Sequence, residues 1–135
     1  MLNVDAMPIR LHIDQESRLT KFIASGTISI KDITTALESL FSGELTQNIV
    51  WDFRHSDPGE IFLPRKIKEI INFAKEDMRS RKKGKTAIVA SSGIGYGLAK
   101  MHEAFAEIGN VPYPVRSFDS IDEALSWINS KDCHD

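Results

Sequence analysis

Two short apolar runs constrain this chain more than any other feature. Asn48-Ile49-Val50-Trp51-Asp52-Phe53 and Thr86-Ala87-Ile88-Val89-Ala90 are each too short for a buried helix and rich in β-branched and aromatic residues. Runs of this kind are strands covered on both faces. Each is followed by a polar or glycine-rich turn and then an amphipathic stretch. After Pro64 the apolar positions are Ile67, Ile70, Ile71, Ala74 and Met78, and Gly84 ends the stretch. After Gly93 they are Ile94, Leu98, Met101, Phe105 and Ile108, ended by Gly109-Asn110. Strand–helix–strand alternation requires right-handed crossovers and a parallel sheet flanked by helices.

The flanking segments complete the pattern. Ile9-Arg10-Leu11-His12-Ile13-Asp14 alternates apolar and polar residues, which predicts a strand with one buried face. Gln15-Glu16-Ser17 is a turn. Arg18 to Ile28 is strand-like, with Gly26 at a bulge or end, so the two strands form an antiparallel hairpin. Ser29 caps a helix striped by Ile30, Ile33, Leu37, Leu40 and Phe41, with Asp32 in its first turn and a stop near Gly43. Pro114-Val115-Arg116-Ser117-Phe118 is a last strand. Ser120 opens a last helix, where Glu123 completes a Ser-x-x-Glu capping box and Ile121, Ala124, Leu125 and Ile128 face inward. The expectation is a single α/β domain over residues 9–130: a mixed sheet of five strands with four helices. Residues 1–8 are an N-terminal extension and residues 131–135 a frayed tail. The turns that begin at Arg54 and Ser91 should share one rim of the sheet.

Three segments carry a family resemblance. They are Val50-Trp51-Asp52-Phe53-Arg54 at a strand end and Tyr96-Gly97-Leu98-Ala99-Lys100-Met101 at a helix start. The third runs from Val115-Arg116-Ser117-Phe118 through Ile121-Asp122-Glu123-Ala124-Leu125-Ser126-Trp127-Ile128. With the order of elements, they make the chain similar to the STAS domain family, in its branch that resembles the anti-sigma-factor antagonist SpoIIAA. The resemblance implies a regulatory module that docks a protein partner. In the partner-switching antagonists a serine within an Asp-Ser-Ser-Gly-like motif, after the third strand, is phosphorylated. Here that place reads Ser56-Asp57-Pro58-Gly59. Pro58 stands where the serine before the glycine would be, and Ser56 is the nearest hydroxyl, hence the candidate phosphorylation site.

Asp52, Arg54, His55, Ser56 and Asp57 cluster at the C-terminal end of a central strand, where open α/β sheets place their ligands. Ser, His and Asp so close in sequence invite a nucleophile reading. Neighbours on one turn rarely face one another, however, and triads are assembled from separate segments. An Asp52–Arg54 ion pair or turn hydrogen bonds that fix the loop are the simpler expectation; a partner or ligand surface is the functional one. Ala90-Ser91-Ser92-Gly93-Ile94-Gly95-Tyr96-Gly97 resembles the glycine-rich turn of short-chain dehydrogenases, whose backbone amides cradle a pyrophosphate. Its spacing is G-x-G-x-G rather than G-x-G-x-x-G, too little chain follows for a dinucleotide fold, and beyond Gly97 the remaining tyrosine, Tyr113, has no lysine three or four residues on. Gly93, Gly95 and Tyr96 therefore join the partner or ligand surface, and no cofactor is expected. The rival function is a small-ligand module or minor enzyme that holds an anionic or lipid-like molecule between the Ser56 and Gly93 loops.

Charge and cysteine content narrow the classes further. Seventeen Lys and Arg against nineteen Asp and Glu exclude a generally basic nucleic-acid binder. Nine basic and three acidic residues nevertheless fall between Arg65 and Lys85. Their helix is a solvated face or, alternatively, meets an acidic protein or an anionic membrane surface through Lys66, Lys68, Lys75 and Arg79. His12, His102 and Cys133-His134-Asp135 lack second ligands at metal-binding spacing, so no metal site is expected. Trp51, Phe105 and Trp127 are expected in the core. The lone Cys133 cannot form an internal disulfide. No apolar run approaches the roughly 20 residues of a membrane span. No basic-then-apolar leader opens the chain. A cytoplasmic location is expected, with a protein partner, and a homodimer as a further option.

Overall fold

The structure is a computed structural model. It describes residues 8–42, 48–57, 64–75, 84–90, 97, 99, 100, 103, 104, 107 and 114–130. Five strands form one sheet in the order β1-β2-β3-β4-β5, with β1 Ile9–Asp14, β2 Leu19–Thr27, β3 Asn48–Asp57, β4 Thr86–Val89 and β5 Val115–Phe118. β1 and β2 are antiparallel; β2, β3, β4 and β5 are parallel. The mixed sheet follows the expected pattern. Three helices, not four, are delimited among the described residues: α1 Ile30–Ser42, α2 Pro64–Lys75 and α3 Ile121–Asn129. The helix expected after Gly93 falls largely outside them, where Gly97, Ala99, Lys100, Glu103, Ala104 and Glu107 are described, each as helical. The stretches 1–7 and 131–135 also lie outside.

The apolar composition of β3 and β4 has the anticipated cause, which is burial on both faces. On one face Phe22, Ala24, Ile49, Trp51, Phe53 and Ile88 pack under Ile33 and Leu37 of α1 and Ile70 of α2. Trp51 stacks on Phe22 with ring centroids 4.2 Å apart. On the other, Leu19, Val50, Ala87 and Val89 pack against Ala124 and Ile128 of α3. Each large side chain so buried contributes about 1.5–3 kcal/mol. Trp127 is only half-buried at the margin of the second face, 5.7 Å from Phe118.

Helix starts follow their capping chemistry. Ser29 Oγ accepts the Asp32 N–H at 3.2 Å and Asp32 Oδ2 accepts the Ser29 N–H at 2.9 Å, a reciprocal box. At α3, Ser120 Oγ accepts the Glu123 N–H at 3.3 Å; only the serine's half of the expected box forms. The turn between β1 and β2 closes with Asp14 Oδ1 accepting the Glu16 N–H at 3.1 Å and with Arg18 at φ 54°. Gly26, at φ 72°, occupies the left-handed region near the end of β2, as a glycine does at least cost.

Three expectations are corrected. β1 does not bury its apolar face: Leu11 is 43% and Ile13 40% exposed. β1 is an edge strand, and of its apolar residues Ile9 packs against the core. The polar turn expected at Arg54–Gly59 is strand as far as Asp57, because β3 continues to pair with β2 through Asp57–Thr27. Lys85 does not belong to a basic surface. It is buried, and its Nζ donates to the Trp127 carbonyl at 2.7 Å and to the Ser130 carbonyl and hydroxyl at 3.0 and 2.8 Å.

Candidate functional site

The residues singled out on β3 sit where the strand changes its relation to β2. Ile23 pairs with Asp52 and Ser25 with His55, so Phe53 and Arg54 together oppose Ala24. This is a β-bulge, a device that re-aims side chains next to sites. It lies near the C-terminal end of the parallel strands. Asp52 also pairs with Val89, and the Ala90 N–H donates to the Phe118 carbonyl at 3.0 Å. Strands β3, β4 and β5 therefore end at one rim, as the alternation of elements requires.

Asp52 is the buried anchor of that rim. Its carboxylate takes both ends of the Arg54 guanidinium, with Nε to Oδ1 at 2.9 Å and Nη2 to Oδ2 at 2.8 Å. The Arg54 main-chain N–H adds a third bond at 3.1 Å. Burial pushes the Asp52 carboxyl up, but the Arg54 side-chain and backbone hydrogen bonds and the Arg54 and His55 charges outweigh it. The carboxyl is held below the usual carboxylate range. The guanidinium is correspondingly raised, chiefly by its hydrogen bond to Asp52 against the cost of burial, and then by the charges of Asp52 and Asp122. A bidentate pair fixes direction as well as distance. Arg54 is thus a positioned cation with a third of its side chain in solvent.

His55 is exposed and Ser56 half-buried. The Ser56 hydroxyl donates to the Phe53 carbonyl at 3.0 Å, within its own strand. This bond spends the proton on the backbone rather than on a base, which is not the arrangement of an activated nucleophile. Asp57 is the last residue of β3, paired with Thr27. The structure brings Asp52 and Arg54 together and places His55, Ser56 and Asp57 immediately beyond them. Gly93, Gly95 and Tyr96 lie outside the described residues, as do Arg79, His102, Phe105 and Cys133-His134-Asp135. On α2, Lys66 pairs with Glu69 at 3.6 Å, so acid is interleaved with the basic face. No group of three or more metal-ligating side chains occurs among the described residues. No described helix is long and apolar enough to cross a membrane.

Two contributions escaped sequence reasoning. Asp122, read only as a first-turn acid of the last helix, also acts on Arg54. A groove of about 560 Å³ between β1 and α1 is lined by Ile9, Leu11, Phe22, Lys31, Thr35 and Ala36, and by no residue of β3. Its only sequence signal was the apolar alternation of β1.

No family model and no curated protein matches this chain. Among solved structures it is similar to an uncharacterised protein of the DUF3478 family with a SpoIIAA-like fold, from Shewanella loihica. The TM-score is 0.55 at 17% identity, over 89% of this chain and 91% of that one. The fold of this chain is SpoIIAA-like.

Proposed function

We propose that this domain is a regulatory module without catalysis of its own, which docks a protein partner through the rim formed by Arg54, His55, Ser56 and Asp57. The observation that carries the reading is the buried Asp52 holding Arg54 in a fixed bidentate pose beside an exposed His55. A preset cation next to the exposed His55 suits recognition, since little side-chain entropy is lost when a partner arrives. The bond from Ser56 to its own strand argues against a hydrolytic role. The SpoIIAA-like fold supports a regulatory role by analogy alone; because one fold hosts many functions, the rim and not the fold carries the proposal. Ser56 is also the candidate for phosphorylation. A phosphate there would bring about two negative charges to the Arg54 end of the strand and alter what the rim accepts.

The test compares the wild type with His55→Glu and Ser56→Glu as baits in extracts of the native host. A protein retained by the wild type and lost on both variants, with unchanged circular dichroism, supports docking at the rim. Mass spectrometry of the bait reads the state of Ser56. An enzymatic activity abolished by His55→Ala or Ser56→Ala would falsify the proposal. So would a nucleotide or fatty acid that stabilises the wild type by about 2.7 kcal/mol at 100 times its Kd. That outcome belongs to the rival small-ligand module.

A further inference from the structure

The two edges of the sheet are finished differently. At β5, the Thr86 and Ala90 N–H groups donate to the Pro114 and Phe118 carbonyls, so by alternation the Ser117 N–H points away from β4. The Glu103 carboxylate covers it, accepting the Ser117 N–H at 2.6 Å and the Ser117 hydroxyl at 2.7 Å. At β1 the Ser25 N–H donates to the Pro8 carbonyl at 2.8 Å. Antiparallel pairing then turns the main-chain groups of Arg10, His12 and Asp14 toward β2, and those of Ile9, Leu11 and Ile13 outward. Among the described residues nothing pairs with the outward groups of Leu11 and Ile13. Natural proteins cover or blunt such edges. Here the β1–β2 register runs unbroken, and the exposed Leu11 and Ile13 share the face of Phe22 and Thr20.

The sequence of β1 is self-complementary about its centre. We propose that β1 pairs antiparallel with β1 of a second copy of this chain, about a two-fold axis through His12. In that register Leu11 lies opposite Ile13 of the second copy, and each exchanges its free N–H and C=O with the other. Arg10 lies opposite Asp14 of the second copy on the other face, which places opposite charges across the strands twice per dimer. Arg10 makes no ion pair among the described residues, and Asp14 is held at the strand end by the turn bond to Glu16. A two-residue slip, centred on Leu11, sets Arg10 against His12 and wastes Asp14. A one-residue slip turns Leu11 and Ile13 away from each other. The opposite slip, centred on Ile13, sets His12 against Asp14 but draws Gln15 and Glu16 into the pairing, and these lie in the turn beyond β1. Within the strand itself, the charge pattern selects the His12 register. An isologous pair of this kind closes on itself and leaves only the two β5 edges, each covered at Ser117 by Glu103. The surface is separate from the β3 rim, so the dimer stands or falls independently of partner docking.

Sedimentation velocity at about 100 μM, far above a micromolar Kd, tests the proposal on the full chain. The wild type sediments as a dimer. Arg10→Asp sets aspartate against Asp14, and Asp14→Lys sets lysine against Arg10; each raises the dimer Kd about tenfold or more. Mixed in equal amounts, the two variants dimerise again, because both cross-strand pairs become attractive. Ile13→Lys also dissociates the dimer, and circular dichroism reports whether each variant is folded. Should Asp14→Lys fail to fold through loss of its turn bond, Arg10→Asp and Ile13→Lys decide. A monomeric wild type, a dimer retained by both of those variants, or folded single-charge variants that gain nothing on mixing would each overturn the proposal.

Discussion

At the scale of single residues, two buried charges have opposite histories in the sequence. Asp52 was legible, because an acid inside an apolar strand run, two positions before an arginine, has few affordable partners other than that arginine. The bidentate bonds at 2.9 and 2.8 Å realise that pairing. Asp52→Asn keeps the shape but leaves a weaker acceptor for a partly buried guanidinium. It should lower unfolding free energy by about 1–3 kcal/mol in urea titrations. The pH dependence follows from the direction of the shift. The Asp52 carboxyl lies lower in the folded than in the unfolded chain. Its stabilisation is therefore complete above the ordinary carboxylate range near pH 4 and is lost as pH falls through the folded value. Acid titration should show a loss of stability below about pH 4 that is smaller in Asp52→Asn. Lys85 was not legible; it ends a run of basic residues and counts there as surface. Only the return of α3 across the sheet brings the Trp127 and Ser130 carbonyls to its ammonium. A cation satisfying the C-terminal carbonyls of a helix is favourable on both hydrogen-bonding and dipole grounds. Lys85→Met keeps the stem and removes the donor, and should cost about 1–3 kcal/mol by thermal or chemical unfolding.

At the scale of elements, local chemistry was read most reliably where the chain itself supplies the partner. Ser29 with Asp32, and Ser120 at α3, cap helices as their spacing implies. Ser120→Ala should cost about 1 kcal/mol, measured by urea unfolding, with the loss visible first at the start of α3 in amide hydrogen exchange. Strand limits were read less well. The polar residues Arg54 to Asp57 look like a turn, yet they are strand, because β2 continues alongside them as far as Thr27. Pairing between strands distant in sequence leaves no mark on local composition, so the bulge opposite Ala24 was invisible too. β1 shows the reverse error. Its alternation correctly predicts a strand, but alternation states only that one side is apolar. It does not state that another element covers that side.

At the scale of the whole molecule, the sheet order assigns each strand its surroundings. β3 lies at the centre, and its Phe22-stacked Trp51 is buried between strands and helices. β5 lies at an edge and is closed by Glu103. Glu103→Ala should therefore leave the Ser117 amide open and speed its hydrogen exchange about tenfold or more, if its protection reflects an opening energy of roughly 1.4 kcal/mol or more at that bond. Exchange unchanged at Ser117 would show that the carboxylate does not guard that edge. What the amino-acid order alone determined is the succession of the described elements and the capping serines Ser29 and Ser120, because periodicity and capping depend on neighbours a few positions apart. It also offered the Asp52–Arg54 pair, beside turn hydrogen bonds, because the two partners are two residues apart; the bidentate geometry came from the structure. What only the tertiary structure decided is which strand stands at the edge with Leu11 and Ile13 uncovered, how far β3 runs beside β2, and where the Lys85 ammonium goes. Those depend on contacts between residues tens of positions apart, and such contacts are set by the packing of the whole sheet.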